Sequence, residues 1–226
     1  MAPTRLGDGT NIGSIRQGDG TGIAEVRTGD GDVVFSGGPE VLESFERANP
    51  LAIYSGDISD FAVDSSPVFD GAKSIRGTDT SGVAEIVTDQ ITLSAGDTFS
   101  YRHFHRPISA QPNAGLYFGV QGLNMPLSGG GEAYQVRVQG FNNTLAITKP
   151  QGGFNELNNS PLNIDFNNFM EIKVDWGTNG TITATAFDSA GSQLSQVTAN
   201  DTEYTTGGVG WSNFEAGVNF DFLQKL

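Results

Sequence analysis

The chain of 226 residues contains no cysteine, so neither disulfides nor thiolate metal sites hold it together. Cations are scarce. Eight Arg and 4 Lys stand against 16 Asp and 10 Glu, for a net charge of −14. A chain this acidic lacks the basic patch needed to neutralise phosphates, which argues against nucleic-acid binding. Long apolar runs are also missing. No stretch approaches the roughly 20 apolar residues of a membrane span. The opening MAPTRLGDGTN has neither the apolar segment nor the cleavage pattern of a secretion signal. The expectation is synthesis in the cytoplasm without membrane insertion.

Glycine is abundant, with 31 residues, and only 17% of the chain is charged. Many turns and few helices follow, which predicts an all-β protein. The clearest stretch is Phe169 to Phe187. Met170, Ile172, Val174 and Trp176 alternate with Glu171, Lys173 and Asp175, the period of a strand with one face on a core. Asn179-Gly180 supplies the positive φ of a tight hairpin, and Thr181 to Phe187 returns. Further strands are expected at 41–45, 61–63, 72–76, 83–87, 98–106, 115–121, 133–139, 144–148, 208–211 and 218–223. Their short, regular spacing predicts an antiparallel β-sandwich or jelly roll. The Asn-rich segment 151–168 reads as a long loop.

The first 37 residues differ and repeat with a period of 11. Arg5, Arg16 and Arg27 align, as do Asp8, Asp19 and Asp30, and Ile12, Ile23 and Val34 form an apolar column. Their glycines make a coiled coil implausible, so short extended segments joined by Gly-Asp-Gly turns are expected. Too small to fold alone, this piece is read as an anchoring and oligomerisation stem. Ser36 to Pro39 links it to a domain spanning 38–226.

Several motifs in that domain resemble a known family. Val41-Leu-Glu-Ser-Phe-Glu46, Tyr54-Ser-Gly-Asp57 and Ser65-Ser-Pro-Val-Phe-Asp-Gly71 look like the opening of concanavalin A-like, laminin-G-like jelly rolls in haloarchaeal proteins. Phe99-Ser-Tyr-Arg102, Ala114 to Gln121, Tyr134-Gln-Val-Arg137, Glu171 to Trp176 and Gly207 to Trp211 continue the likeness in order. The resemblance implies two antiparallel sheets, with sugars bound on a concave face or in the loops at one end. The Arg-x-Gly-Asp-Gly repeats are similar to the starts of virion proteins of haloarchaeal tailed viruses. That implies a capsid turret, spike or tail fibre on the virion surface. Its partners would be copies of itself (a trimer or pentamer), other virion proteins and host-surface glycans. Scattered acid with little Lys resembles the surfaces of proteins from extreme halophiles; the alternative is an ordinary acidic protein. A purely architectural capsid decoration protein and a glucanase-like protein stand as alternatives.

Candidate chemistry is sparse. The glucanase strand needs acids two residues apart, but Glu171 and Asp175 are four apart, about 13 Å at roughly 3.3 Å per residue. Glycosidase carboxylates work at about 5–9.5 Å, so no catalytic residue is assigned. His103 and His105, the only histidines, share a strand face about 7 Å apart, with no third metal ligand nearby. Arg102, Arg106, Arg137 and Lys173 sit on polar strand faces. If those strands are neighbours they form a basic patch for acidic glycans; otherwise each pairs with a nearby carboxylate. Tyr117 and Trp211 are candidates for stacking on sugar rings, or else core. No cofactor is required, although the resemblance implies a possible structural calcium held by Glu43 and Asp221. The four Asn-x-Ser/Thr sequons are expected by chance in so Asn-rich a chain.

Overall fold

The computed structural model describes residues 39–226 except residue 81 and residues 107–111, together with the backbone of three strands within the first 38 residues. The chain divides into two compact units, a small one within Met1–Glu40 and a large one, Val41–Lys225.

In the small unit, β1 (Ile12–Gln17), β2 (Ile23–Thr28) and β3 (Val33–Ser36) form an antiparallel sheet in that order. Ile15 lies opposite Val26, and Val26 opposite Phe35. The first two strands start 11 residues apart, the period of the repeat. Arg5, Asp8, Asp19 and Asp30, and the side chains of Arg16 and Arg27, lie outside the described residues, and with them the anchoring role assigned to the repeat.

The large unit is an antiparallel β-sandwich, as its strand spacing predicts. Its strands are β4 (Glu40–Glu43), β5 (Ser55–Gly56), β6 (Phe61–Asp64), β7 (Ser74–Gly77), β8 (Val83–Ser94), β9 (Thr98–His105), β10 (Asn113–Gln121), β11 (Glu132–Gln139), β12 (Thr144–Thr148), β13 (Glu156–Pro161), β14 (Met170–Trp176), β15 (Thr181–Phe187), β16 (Gln193–Asn200), β17 (Thr206–Phe214) and β18 (Val218–Lys225). A seven-stranded sheet runs β13-β12-β11-β10-β17-β8-β5. An eight-stranded sheet runs β16-β15-β14-β9-β18-β7-β6, with β4 on β18. The chain changes sheet between β9 and β10, and this crossing decides where the site residues end up.

Core and surface follow from alternation. In β14, Met170, Ile172, Val174 and Trp176 are buried while Glu171, Lys173 and Asp175 stay partly exposed. The turn into β15 uses Gly180 at φ 81, where Cβ would strain the backbone. Trp176 packs edge-on against Phe118 of the other sheet at 5.1 Å, and Tyr101 against Trp211 at 5.6 Å. Burying each such side chain contributes about 1.5–3 kcal/mol.

Three strands depart from the sequence reading; the shortest, β5, is two residues paired to β8. β13 lies in the segment expected to be loop. Leu157 is its one residue packed on the core; the rest is mostly polar because the strand is a sheet edge, joined by the backbone ladder to β12, and its Pro161 suits such an edge. β16 was not expected because its inward residues Ser195, Val197 and Ala199 are small and only weakly apolar. Asn158 of β13 donates to the Thr198 carbonyl of β16 at 2.7 Å, stitching one edge of the sandwich.

Candidate functional site

The outer face of the seven-stranded sheet is unusual because it is polar and yet buried. In β11, Tyr134, Val136 and Val138 point into the core, so Ala133, Gln135, Arg137 and Gln139 point outward; all of them are buried. The register sets the row across this face. Ala146 of β12 and Gly115 of β10 flank Arg137, and Ser212 of β17 and Glu85 of β8 continue it. The neighbours of Arg137 are thus the two smallest residue types. A Cβ on Gly115 would strike the Val136 carbonyl and the Cα of Arg137.

Around the arginine the polar groups satisfy one another. Gln135 donates to Ser212 Oγ and accepts from Thr148 Oγ1 at 3.1 Å. Gln139 donates to Glu156 Oε2 at 3.0 Å and accepts from Thr144 Oγ1 at 2.7 Å. Asn159 donates to the other Glu156 oxygen at 2.5 Å. Arg137 is left out. It is 6% exposed, its Nε is buried without a partner, and its guanidinium forms no hydrogen bond or ion pair with any described residue. What lies over it is the ring of Phe154, 4.1 Å away and itself 53% exposed. Burial pushes the guanidinium pKa down to about 10, and the fields of Tyr117 and Glu156 only partly oppose this.

Two loops build the cover. Residues 122–131 fold over the sheet, with Met125 and Leu127 packed on Val87, Tyr117, Val120 and Ala133. Glu85, fully buried, holds this loop: it accepts from Leu127 N (2.9 Å), Ser128 N (2.8 Å) and Tyr117 Oη (2.7 Å). Hydrogen bonds to a charged acceptor are worth about 1.5–3 kcal/mol each. Burial, and then the Glu85 carboxylate beside it, raises the Tyr117 phenol well above its ordinary value. The Phe154 loop is held at its base, where Lys149 bridges Asp201 (2.5 Å) and Glu203 (2.8 Å).

The structure divides the residues singled out in the sequence. Arg137 and Tyr117 share the outer face of the seven-stranded sheet. Arg102, Arg106 and Lys173 belong to the other sheet and pair with carboxylates: Arg102 with Glu171 at 2.8 Å, Arg106 with Asp64 at 3.0 Å, Lys173 with Asp175 at 3.6 Å. A single basic patch of all four does not form, because β9 and β14 lie in one sheet and β11 in the other. Trp211 is core, packed on Phe45, Tyr101 and Phe220, and its indole donates to Tyr54 at 3.2 Å, so it offers no face to a sugar. His103 and His105 also face the core, their ring nitrogens 3.5 Å apart. Phe154 went unpredicted. Its only signal is a lone aromatic residue after Gln151-Gly-Gly.

Glu43 and Asp221, the pair named for calcium, are each engaged by protein donors. Glu43 spends its oxygens on Phe45 N, Arg47 and Tyr54, while Asp221 accepts from the backbone of Phe69 at 2.8 Å. Calcium takes six to eight oxygens, and no group of three or more His, Cys, Asp or Glu among the described residues could hold a metal ion.

The sandwich is similar to solved lectin-type jelly rolls. A carbohydrate-binding module, CBM66 from Bacillus subtilis, matches with TM-score 0.58 and 13% identity over 76% of this chain and 94% of that one. The exoplasmic/lumenal domain of VIP36, solved with Ca2+ and Man3GlcNAc, matches with TM-score 0.58 and 11% identity over 83% and 87%. Lectin UEA-II, solved with galactose, matches with TM-score 0.56 and 5% identity over 83% and 97%. No protein-family model and no curated protein matches the sequence. At these identities the likeness defines a fold: an all-β, lectin-type jelly roll.

Proposed function

We propose that Val41–Lys225 is a non-catalytic glycan-binding module, with Arg137 at the centre of its site and an acidic sugar as its ligand. One observation carries this reading. Arg137 is buried and has no hydrogen-bond or ion-pair partner among the described residues, in a protein where carboxylates outnumber cations more than two to one. A buried charge without a partner is costly, and a ligand carboxylate or sulfate would supply the bidentate partner that a guanidinium fork fits. Phe154 adds an exposed ring for the face of a sugar. The lectin-type fold supports the same ligand class.

Calorimetric titration of the full chain with glucuronate-containing and sulfated oligosaccharides tests this. Binding should weaken at high salt and be lost in Arg137→Met. Equal binding by wild type and variant would sink the assignment.

The wider role we propose is attachment to host-surface glycans from a virion surface, as a turret, spike or tail fibre. The N-terminal unit would serve as its anchoring and self-associating piece. Support comes from the 11-residue repeat and the three-stranded sheet it forms. Weak sites joined in one oligomer would gain avidity.

A further inference from the structure

We infer that the outer face of the eight-stranded sheet carries a second ligand site, for a neutral sugar ring bearing a vicinal diol. A cleft of about 520 Å³ opens there, between the segment around Phe69, the start of β14 and the turn joining β15 to β16. Its volume lies in the usual range for small-molecule sites. Arg137 belongs to the other sheet, so the two sites are separate.

The cleft is built from both apolar and polar parts. Phe69 is 44% exposed and meets the Phe169 ring edge-on at 5.9 Å. Behind it, Phe222 packs on Phe69 at 5.8 Å. The Arg102 guanidinium covers one side of the Phe69 ring, 4.2 Å from its centroid. These contacts hold an exposed ring in place, as a platform for the C–H face of a sugar must be.

Beside the platform stands a matched donor and acceptor. Arg102 and Glu171 are direct cross-strand partners on β9 and β14, joined by one bond from Nη1 to Oε2. Arg102 Nε is buried without a partner. Glu171 Oε1 makes no hydrogen bond with a described residue. The pair is close to neutral, which disfavours an anion. It offers both N–H donors and a carboxylate acceptor within one bridge. A vicinal diol presents the complement, since each hydroxyl both donates and accepts. Asp188 lies at the rim, with Oδ1 occupied by Ala190 N and Ser192 N.

The segment that carries Phe69 is itself held from below. Asp221, directly opposite Arg102 on β18, accepts from Phe69 N at 2.8 Å and from Asp70 N at 3.4 Å. Glu46 accepts from Ala72 N and Lys73 N. The platform is thus positioned before any ligand arrives, which lowers the ordering cost of binding. Two sites on opposite faces would let a single chain bridge two glycans.

The ligand class rests on reading the sandwich as glycan-binding. The test keeps the two sites apart. The isotopically labelled full chain is titrated with methyl glycosides of mannose, galactose and glucose, and its amide resonances are followed by NMR. Concentrations run to ~100 mM, far above the millimolar Kd of a weak single site. The expected result is saturable shifts at Phe69, Phe169 and Asp188–Gly191 that persist in Arg137→Met. Glu171→Gln should weaken them about fivefold, the loss of one hydrogen bond. Phe69→Leu, which keeps an apolar side chain but removes the ring, should abolish them. The inference is overturned if none of the three glycosides moves these amides, or if shifts occur only around Arg137 and Phe154. That last outcome would leave the first site standing. Shifts at the cleft without acidic-sugar binding at Arg137 would do the reverse.

Discussion

Replacing Arg137 with methionine should make the protein more stable. The reason lies in its surroundings. The guanidinium is buried, its Nε has no partner, and its pKa is pushed down to about 10. That is more than two pKa units below the ordinary value, and at 1.36 kcal/mol per unit the charge costs the fold about 3 kcal/mol here. The Phe154 ring returns about 0.5–2 kcal/mol through its cation–π contact. Methionine keeps an unbranched apolar stem of similar reach and removes the charge. The net gain should be about 1–2 kcal/mol, or roughly 2–8 °C in Tm for a domain of this size. Tryptophan fluorescence reads it cleanly, because Trp176 and Trp211 both sit in the sandwich core. Arg137→Lys, which keeps a charge in the same place, should show no such gain. A Tm for Arg137→Met several degrees below wild type would refute the reasoning, since it would mean the guanidinium is satisfied in the folded protein. A residue that lowers stability where it stands is what a stability–function trade-off would leave at a binding site.

Two further outcomes follow from the same structure. Burial holds the His103 imidazole well below its ordinary pKa, the neighbouring His105 adding to this, and burial holds His105 at about 4. Below pH 6.5 the unfolded chain therefore takes up protons that the folded one refuses, and stability falls as pH drops toward 4. Asp221 acts in the opposite sense. Burial, with Glu46 nearby, raises it to about 7 against the opposing backbone hydrogen bonds, so between pH 7 and about 4 the folded state binds the extra proton and gains stability on acidification. With two imidazoles against one carboxylate, these three groups together give a net slope of about 1.4 kcal/mol per pH unit, and Asp64, Asp201 and Glu203, held below their ordinary values, add to it toward pH 4.5. Asp221→Asn should steepen the acid loss, and His103→Phe with His105→Phe should reverse its sign, as denaturant midpoints between pH 4.5 and 6.5 will show. For the N-terminal repeat, light scattering of the full chain in molar KCl should give a defined oligomer, a trimer or a pentamer; a monomer would remove the self-association assigned to it.

Much of the fold was legible because strand alternation is a local signal. β14 announces itself through Met170, Ile172, Val174 and Trp176, and the turn to β15 through Asn179-Gly180. β13 and β16 were not legible. One is a polar edge held by its backbone, and the other turns only Ser195, Val197 and Ala199 inward. For the site, alternation says which residues share a face of one strand but not which strands are neighbours. Arg102 and Arg137 both lie on outward faces. The crossing between β9 and β10 sends them to opposite sides of the sandwich, and nothing in the local sequence records it. Trp211 could have been placed inside, since its strand sets Gly208, Gly210 and Ser212 on the outer face and leaves Val209 and Trp211 for the core. Phe154 could not, because a single aromatic residue among Gln, Gly and Asn has no period to read.

The isolation of Arg137 is not a shortage of carboxylates. Of the nine cations among the described residues, seven have a carboxylate within 4.0 Å. Lys73 bonds instead to the carbonyls of Glu46 and Arg47. Only Arg137 is without either. A carboxylate does stand close, for Glu156 acts on Arg137 through its field, yet both its oxygens are taken, by Gln139 and Asn159. Gln139 is fixed in turn by Thr144, as Gln135 is by Thr148 and Ser212. The amides around the arginine thus engage the groups that would otherwise neutralise it, while Gly115 and Ala146 leave its flanks without side chains to pair. A site meant only to hold the sheet together would be more stable with Glu156 turned toward Arg137. One that turns it away keeps a fixed, desolvated positive charge under an exposed aromatic ring, which is an arrangement suited to an acidic, ring-shaped ligand arriving from outside.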